Sequence, residues 1–147
     1  MNWFCYVLQN TDEKYKNLTY IGSSNSPFER LKCHNRELSG GAKYTRKGKW
    51  RIYMLFSGFK KYADVLSFEW RLKHPNGIKR NESKYCGING KIESLCHIIS
   101  LDTWGKKENL LKSNDIILYT TINIIEKNIS NLIKIVRVDQ INKDILE

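Results

Sequence analysis

The pattern of apolar and polar residues predicts a small sheet in the first half of the chain. Short runs rich in aromatic and β-branched residues predict three strands, over residues 3–9, 18–23 and 50–57. A polar connector separates the first two runs, so we expect these strands to pair as a hairpin. Every second residue of the third run is a large apolar one, which predicts one shared face for Trp50, Ile52, Met54 and Phe56.

Helical periodicity predicts two helices around this sheet, over residues 27–38 and 62–73. Ser26 is the expected N-cap of the first helix, and Pro27 suits its first helical position. A Ser-Gly-Gly sequence follows residue 38 and is expected to end that helix. The second helix is expected to stop at His74-Pro75-Asn76-Gly77.

The second half of the chain is harder to assign. Residues 76–88 read as a polar linker, and residues 91–101 carry the apolar stripe of a third helix. Two β-branched runs predict strands over residues 115–125 and 132–138, although the second run is also compatible with a helix.

The expected fold is therefore α/β, with a small three-stranded, mainly antiparallel sheet flanked by helices and a C-terminal extension of one helix and strands. We expect residues 1–77 to form one domain and residues 78–147 to pack on it.

Composition and charge narrow the function. The chain has 147 residues, of which 41% are hydrophobic and 27% charged, so a packed core is feasible. Its net charge of +10 favours an anionic partner, above all nucleic acid. No apolar run approaches the roughly 20 residues of a membrane span, and no basic amphipathic helix stands out, so no membrane partner is expected. Without a secretory signal, we expect an intracellular protein, nuclear or wherever the DNA is replicated.

The cysteines do not predict a zinc site. Cys5, Cys33, Cys86 and Cys96 form no Cys-x-x-Cys pair, and the nearest two lie ten residues apart. In an intracellular protein they are expected to be reduced thiols.

The first chemically suggestive segment runs from the second strand into the first helix. Arg30 and His34 are four residues apart and share a helix face, while Tyr20 belongs to the strand before them. Pairing of the first two strands would bring Tyr6 onto the same surface as Tyr20. Each residue alone is more often structural than catalytic, but together they suit binding a phosphate and moving a proton beside it.

Glu69 is an anomaly on the second helix. It lies among Val65, Leu66 and Leu72, and a carboxylate among apolar side chains is costly unless it is paired or binds a cation. One interpretation is a salt bridge to Arg30 or to a lysine. The other is a ligand for a hard divalent ion, since Mg²⁺ often takes only one or two protein carboxylates.

Residues 42–49 form a basic segment with one aromatic residue. It is either a solvated loop or a contact for phosphates, and Tyr44 or Trp50 could stack on an unpaired base. The residues expected to bind DNA are Lys43, Tyr44, Arg46, Lys47, Lys49, Lys60 and Lys61.

The order of these residues resembles the GIY-YIG nuclease superfamily. Tyr20-Ile21-Gly22 is its second tripeptide, whereas Phe4-Cys5-Tyr6 keeps only the tyrosine of the first. Arg30 and Glu69 stand where that superfamily has its arginine and its metal-binding glutamate.

Further motifs resemble the Slx-type structure-specific endonucleases, and the resemblance covers about residues 3–75. They are His34-Asn35, Gly40-Gly41-Ala42, Gly58-Phe59 and Phe68-Glu69-Trp70. The segment from Gly41 to Arg46 is also similar to small bacterial members of the superfamily. Slx-type proteins carry a RING-like zinc domain that contacts a scaffold protein, and this chain shows no cysteine-histidine array of that kind. Whether this protein needs a scaffold partner is therefore left open.

The resemblance implies a metal-dependent endonuclease that cuts branched DNA, such as flaps, forks and Holliday junctions, in repair or recombination. It implies that Glu69 binds one Mg²⁺ or Mn²⁺ ion, that Tyr6 accepts or relays a proton from water, and that Arg30 binds the scissile phosphate. Tyr20 would orient the water or the phosphate, and His34 would assist one of these steps. The alternatives are a non-catalytic DNA-binding module with the same fold, and a superfamily nuclease of repair-incision or homing type.

Overall fold

The structure, a computed structural model, describes residues 2–80, 82–124 and 131–146. The described strands are β1 (Trp3–Asn10), β2 (Thr19–Ser24), β3 (Trp50–Phe59), β4 (Thr103–Trp104), β5 (Lys107–Glu108), β6 (Ile116–Thr120) and β7 (Ile133–Arg137). The described α-helices are α1 (Pro27–His34), α2 (Tyr62–Lys73) and α3 (Gly87–Ser100). Short 3₁₀ turns lie at Glu13–Tyr15, Lys43–Arg46, Ser83–Tyr85, Leu110–Lys112 and Lys143–Leu146.

The main sheet has five strands in the order β2-β1-β3-β6-β7. The pairs β2–β1, β1–β3 and β3–β6 are antiparallel, while the pair β6–β7 is parallel. The α/β class is confirmed, but the predicted sheet had too few strands, because β6 and β7 of the C-terminal half join it at the edge formed by β3, while β4 and β5 form a separate two-stranded sheet. Long-range pairing of this kind leaves no local signal in the sequence.

Two apolar layers cover the two faces of this sheet. Phe4, Tyr6 and Leu8 of β1 face a layer that includes Phe28 and Leu31 of α1. The intervening Cys5 and Val7 face the opposite layer, built with α2 and α3. Because both faces are covered, residues 4–8 are all buried, which explains the unbroken apolar run.

The apolar side chains of β3 do not share one face. Val7 pairs with Met54 and Leu8 with Ile52, so Tyr53 is an extra residue in a β-bulge. Trp50 and Ile52 therefore face the α1 layer, whereas Met54 and Phe56 face the α2 layer. The predicted single face is wrong because the bulge reverses the alternation.

Helix α1 begins at Pro27 as expected but ends at His34 rather than residue 38. The Asn35 side chain bonds both backbone groups of Trp50, and Arg36 follows with a left-handed φ of 65°. Ser26 is the N-cap residue as expected, but its side chain makes no capping bond, and its backbone N–H donates to Ser24 Oγ.

Helix α2 matches its prediction and stops at His74, but α3 begins at Gly87, inside the predicted linker. A glycine is needed at position 90, because a Cβ there would lie 2.4 Å from the Tyr85 carbonyl carbon. The two glycines lowered the helical signal, although Gly90 serves close packing. The predicted strand over 115–125 is observed only as Ile116–Thr120, and its last residue lies outside the described residues.

Residues after position 77 share a core with those before it. Leu95 and Ile98 of α3 and Leu118 of β6 pack in the same apolar cluster as Phe56 and Phe68. The boundary at residue 77 stays a prediction about folding units. Within the described ranges, no helix has the length and apolar character of a membrane span. All four cysteines are free thiols.

Candidate active site

Tyr6 lies in the middle of the sheet with its side chain crossing β2. Its Cα partner there is Gly22, and a Cβ at that glycine would lie 2.5 Å from the Tyr6 hydroxyl oxygen. The last residue of the Tyr-Ile-Gly tripeptide therefore makes space for the tyrosine of the preceding strand. Tyr6 is 1% exposed, and burial raises the pKa of its phenol, while a hydrogen bond and the charge of Arg30 oppose that rise.

A chain of buried hydrogen bonds starts at the Tyr6 hydroxyl. His34 Nε2 lies 3.0 Å from the Tyr6 hydroxyl oxygen, and His34 Nδ1 lies 2.9 Å from Thr45 Oγ1. Thr45 donates its single hydroxyl proton to the Ala42 carbonyl across 2.8 Å. Thr45 must therefore accept a hydrogen bond from Nδ1–H. The remaining nitrogen of neutral His34, Nε2, then accepts the Tyr6 hydroxyl proton.

His34 is fully buried at the C-terminal end of α1. Burial, followed by the charge of Arg30, lowers its pKa to about 4, so the imidazole is neutral at ordinary pH. A neutral imidazole adds no positive charge beside the Tyr6 phenol. Its geometry makes it a proton acceptor for Tyr6.

Tyr20 and Arg30 stand beside this pair. The Tyr20 ring lies 4.8 Å from the His34 ring, measured between centroids, so both tyrosines are on the α1 side of the sheet as predicted. Arg30 is half-buried, and its Nη1 donates to the Gly40 carbonyl across 3.0 Å. The structure thus brings together Tyr6, Tyr20, Arg30 and His34.

Glu69 lies at the margin of the apolar face of α2, not in its middle. The buried residues of this helix are Val65, Phe68 and Leu72, whereas Leu66 is 41% exposed. Glu69 Oε2 pairs with Lys73 Nζ at 2.9 Å, one helical turn further on. The lysine salt bridge of the first interpretation is therefore present, and metal ligation stays a prediction.

Glu69 approaches the tyrosine strands through α2, which packs against β1 and β2. Its charge contributes, after burial, to a raised pKa of the Cys5 thiol, which lies on the α2 face of β1, opposite to the face that carries Tyr6. In the parts of the chain that the structure describes, no three His, Cys, Asp or Glu side chains form a metal-binding group. A metal at Glu69 would therefore need water and phosphate oxygens as its other ligands.

The basic segment of residues 42–49 is anchored while its cationic side chains are exposed. The Arg36 guanidinium donates to the carbonyls of Thr45 and Gly48, and the Asn10 side chain donates to the Lys47 carbonyl. The exposed members of the predicted DNA-binding set here are Lys43, Tyr44, Arg46, Lys47 and Lys49.

Two parts of the predicted DNA surface are arranged differently from expectation. Trp50 is 3% exposed and its indole N–H donates to the Thr45 carbonyl, so its interpretation as a base-stacking residue is wrong. Lys60 and Lys61 follow the end of β3, whereas Lys43–Lys49 precede its start, and this ten-residue strand spans roughly 30 Å. The predicted set therefore forms two separate surfaces.

Sequence reasoning missed Thr45, Asn35 and Arg36 as residues that position the site. Thr45 belongs to the Gly-Gly-Ala-Lys-Tyr-Thr segment already noted for its resemblance, which was the available signal. Their roles depend on a turn that returns the loop to α1, and no local periodicity reports that contact.

Similarity to known proteins covers most of the chain. Residues 2–85 match the GIY-YIG catalytic domain. The chain is similar to "Structure-specific endonuclease subunit slx1" of Schizosaccharomyces pombe, with 35% identity over 109 residues, which is 68% of this chain and 40% of that protein. It is also similar to the protein of the same name from Xenopus laevis, with 28% identity over 109 residues, or 69% of this chain and 39% of that protein.

A third relative shows that the likeness extends past the region first noted. "Structure-specific endonuclease subunit SLX1" of Cryptococcus neoformans is 29% identical over 121 residues, or 82% of this chain and 23% of that protein. The likeness therefore reaches beyond residues 3–75 and into the C-terminal half. The chain spans about two fifths or less of the length of these three relatives.

Proposed function

The chain belongs to the GIY-YIG catalytic domain family, and from this premise we propose that it is a metal-dependent endonuclease that hydrolyses phosphodiester bonds in DNA. The observation that carries the proposal is the hydrogen-bonded chain from Tyr6 through His34 to Thr45. A non-catalytic DNA-binding module would have no need of an oriented proton acceptor buried beside a tyrosine and an arginine.

Tyr6 and His34 would together take a proton from the attacking water. Free Tyr6 phenolate is costly, because burial raises the pKa of this phenol. A relay avoids that cost: Tyr6 accepts the water proton as its own hydroxyl proton passes to His34 Nε2. The negative charge of a bound phosphate would raise the pKa of His34 from its low value and so favour the transfer.

Arg30 and Tyr20 would hold the scissile phosphate at this relay. The Arg30 guanidinium has donors beyond the one used by the Gly40 carbonyl, and its planar fork suits phosphate oxygens. Tyr20 lies against the His34 ring, where its hydroxyl would orient the water or the phosphate.

Glu69 fits one hard divalent ion, and we propose Mg²⁺ or Mn²⁺. Its carboxylate is one-fifth exposed and already pairs with the Lys73 ammonium group, so it is reachable and suited to a cationic ligand. A metal held by Glu69 would offset negative charge on the phosphate in the transition state. Lys73 would then be released from the ion pair and could bind phosphate.

Branched DNA is the substrate class that we propose, with a role in repair or recombination in the compartment that holds the DNA. The relatives are named as structure-specific endonuclease subunits, which supports both this substrate class and a scaffold protein partner. The net charge of +10 supports DNA as the partner of the core itself.

The proposal is tested with purified protein and labelled DNA. Flap, fork, four-way junction and linear duplex are incubated with and without Mg²⁺. We expect cleavage of the branched DNAs in Mg²⁺ only. Salt-dependent binding without cleavage would support the non-catalytic module instead, and cleavage of all four DNAs at equal rates would contradict structure specificity.

A further inference from the structure

A pocket of about 510 Å³ opens beside Tyr20. Its walls come from the β1–β2 hairpin, the basic segment, the end of α2 and the start of α3. The lining residues that matter here are Tyr20, Tyr44, Lys73, Cys86 and Lys91. Its volume lies in the range of roughly 300–1,000 Å³ that is typical of small-ligand sites.

We propose that this pocket binds one unpaired nucleotide of the DNA strand, next to the phosphate that is cleaved. The inference rests on the proposed nuclease function and specifies its substrate. It also assigns a role to α3, which begins after the residues that match the catalytic domain.

The aromatic wall suits a nucleobase. The Tyr44 and Tyr20 rings lie 6.1 Å apart between centroids with 28° between their planes, and Tyr44 is 50% exposed. A solvent-exposed tyrosine ring beside a cavity offers a flat face for a base, and such stacking tolerates any base identity.

The cationic side of the pocket suits the phosphate of the same nucleotide. Lys91 Nζ donates to the Tyr85 carbonyl at 2.8 Å, which uses one of its three donors. Lys73 lines the same pocket while it pairs with Glu69. Lys91 is half-buried, and this burial lowers its pKa. An ammonium ion that is partly removed from water is stabilised by an anionic ligand.

The location of the pocket links it to the reaction. Tyr20 lines the pocket and lies 4.8 Å from the His34 ring, so a nucleotide held there is an immediate neighbour of the catalytic residues. A paired base cannot enter without leaving its duplex, which costs a few kcal/mol unless the base is already unpaired. Branch points supply unpaired bases, so the pocket accounts for a preference for branched DNA.

The two halves of the chain meet across this pocket. Tyr44 of the basic segment and Cys86, the N-cap residue of α3, both line it. Burial raises the pKa of Tyr44, and the Cys86 thiol contributes to that rise. The nuclease half supplies the stacking face and the C-terminal half supplies Lys91. The pocket is therefore incomplete without α3.

The test is a scan of DNA binding with a series of labelled flaps in which one nucleotide at a time near the branch lacks its base. Binding is measured in EDTA, so neither metal nor turnover is needed. We expect one position at which loss of the base weakens binding to wild-type protein by roughly 5- to 100-fold. In Tyr44→Ala, loss of the base at that position should weaken binding no more than at other positions. Tyr44→Phe should keep the position-specific loss of binding.

Tyr62→Ala is the matched control, because Tyr62 is 48% exposed and packs on Trp3 instead of lining the pocket. It should keep the position-specific effect. Lys91→Met should weaken binding of the intact flap more than Lys84→Met, which removes an exposed lysine of the preceding turn. The pocket assignment would be overturned if loss of the base weakened binding to wild-type protein equally at every position. It would also be overturned if folded Tyr44→Ala showed the same position-specific loss.

Failure of the pocket and failure of the nuclease proposal are distinguishable. Absence of cleavage with Mg²⁺ on every branched DNA would overturn the nuclease function and leave the binding scan readable. Cleavage with a flat scan would overturn the pocket alone.

Discussion

The Tyr6 hydroxyl lies 3.0 Å from His34 Nε2, although the two residues are 28 positions apart in the chain. Tyr6 reaches this position from the centre of the sheet, and His34 from the last turn of α1. Because Thr45 fixes the proton of His34 on Nδ1, the pair has a defined direction, from the phenol to the imidazole. This direction is what turns a buried contact into a candidate proton relay.

The buried His34 should make stability depend on pH. Its pKa is about 4 in the folded protein and about 6.5 when unfolded, so the unfolded state binds more protons between these values. The free energy of unfolding should therefore fall as pH decreases from 6.5 to 4, by up to about 3 kcal/mol from this residue. Urea unfolding of the wild-type protein and of His34→Gln at a series of pH values measures this free energy. For the variant, the free energy of unfolding should depend less steeply on pH between 6.5 and 4. An equal pH dependence for both proteins would refute the assignment.

Thr45→Val should impair cleavage without unfolding the protein. Valine keeps the size of the side chain but cannot accept the hydrogen bond from His34 Nδ1–H. We expect a fall in kcat of about 100-fold, the lower end of the range for a lost proton-transfer contribution, with little change in KM for DNA. ¹⁵N NMR of the imidazole should show loss of the Nδ1–H preference. Thr45→Ser retains the hydroxyl and should restore both, so equal defects in the two variants would count against this role.

Gly22→Ala should displace Tyr6. The new Cβ would lie 2.5 Å from the hydroxyl oxygen and 2.6 Å from the ring carbon that bears it, so the ring must move away from His34. We expect cleavage to fall at least about 10-fold. The neighbouring variant Ser23→Ala is the control, since it only shortens a side chain on the same strand. A fully active Gly22→Ala protein would show that the tyrosine position is not critical.

Arg30→Ala should lose most turnover, because it removes both the proposed phosphate ligand and a charge that lowers the pKa of Tyr6. Arg30→Lys retains the charge but not the planar fork, so it should recover only part of the rate. Single-turnover cleavage rates at saturating protein compare the two variants. Near-normal rates for Arg30→Ala would remove this residue from the mechanism.

The sequence was sufficient for the N-terminal elements and for the identity of the clustered side chains. Tyr6, Tyr20, Arg30 and His34 follow from strand pairing and a four-residue helical spacing, which are local rules. The hydrogen-bond partner of each side chain was harder to predict from the sequence. His34 was expected to assist a catalytic step, but its burial, which keeps it neutral, and its contact with Thr45 were not predicted.

Features that depend on tertiary contacts were missed. The bulge at Tyr53 reverses the faces of β3, although the strand pattern itself alternates regularly. Helix α1 ends early because Asn35 bonds the backbone of Trp50, fifteen residues further on. The pairing of β6 with β3 joins residues more than 50 positions apart. None of these contacts has a signature within a short sequence window.

The most direct test compares wild-type protein with Glu69→Gln on one labelled flap, at saturating protein and with Mg²⁺. The variant keeps the shape of the side chain but loses the charge that would bind the metal. Glu93→Gln, at an exposed position on α3, is the control and should cleave normally. We expect Glu69→Gln to bind the flap with wild-type affinity and to cleave it at least about 1,000-fold more slowly. Cleavage by Glu69→Gln at the wild-type rate would contradict the account.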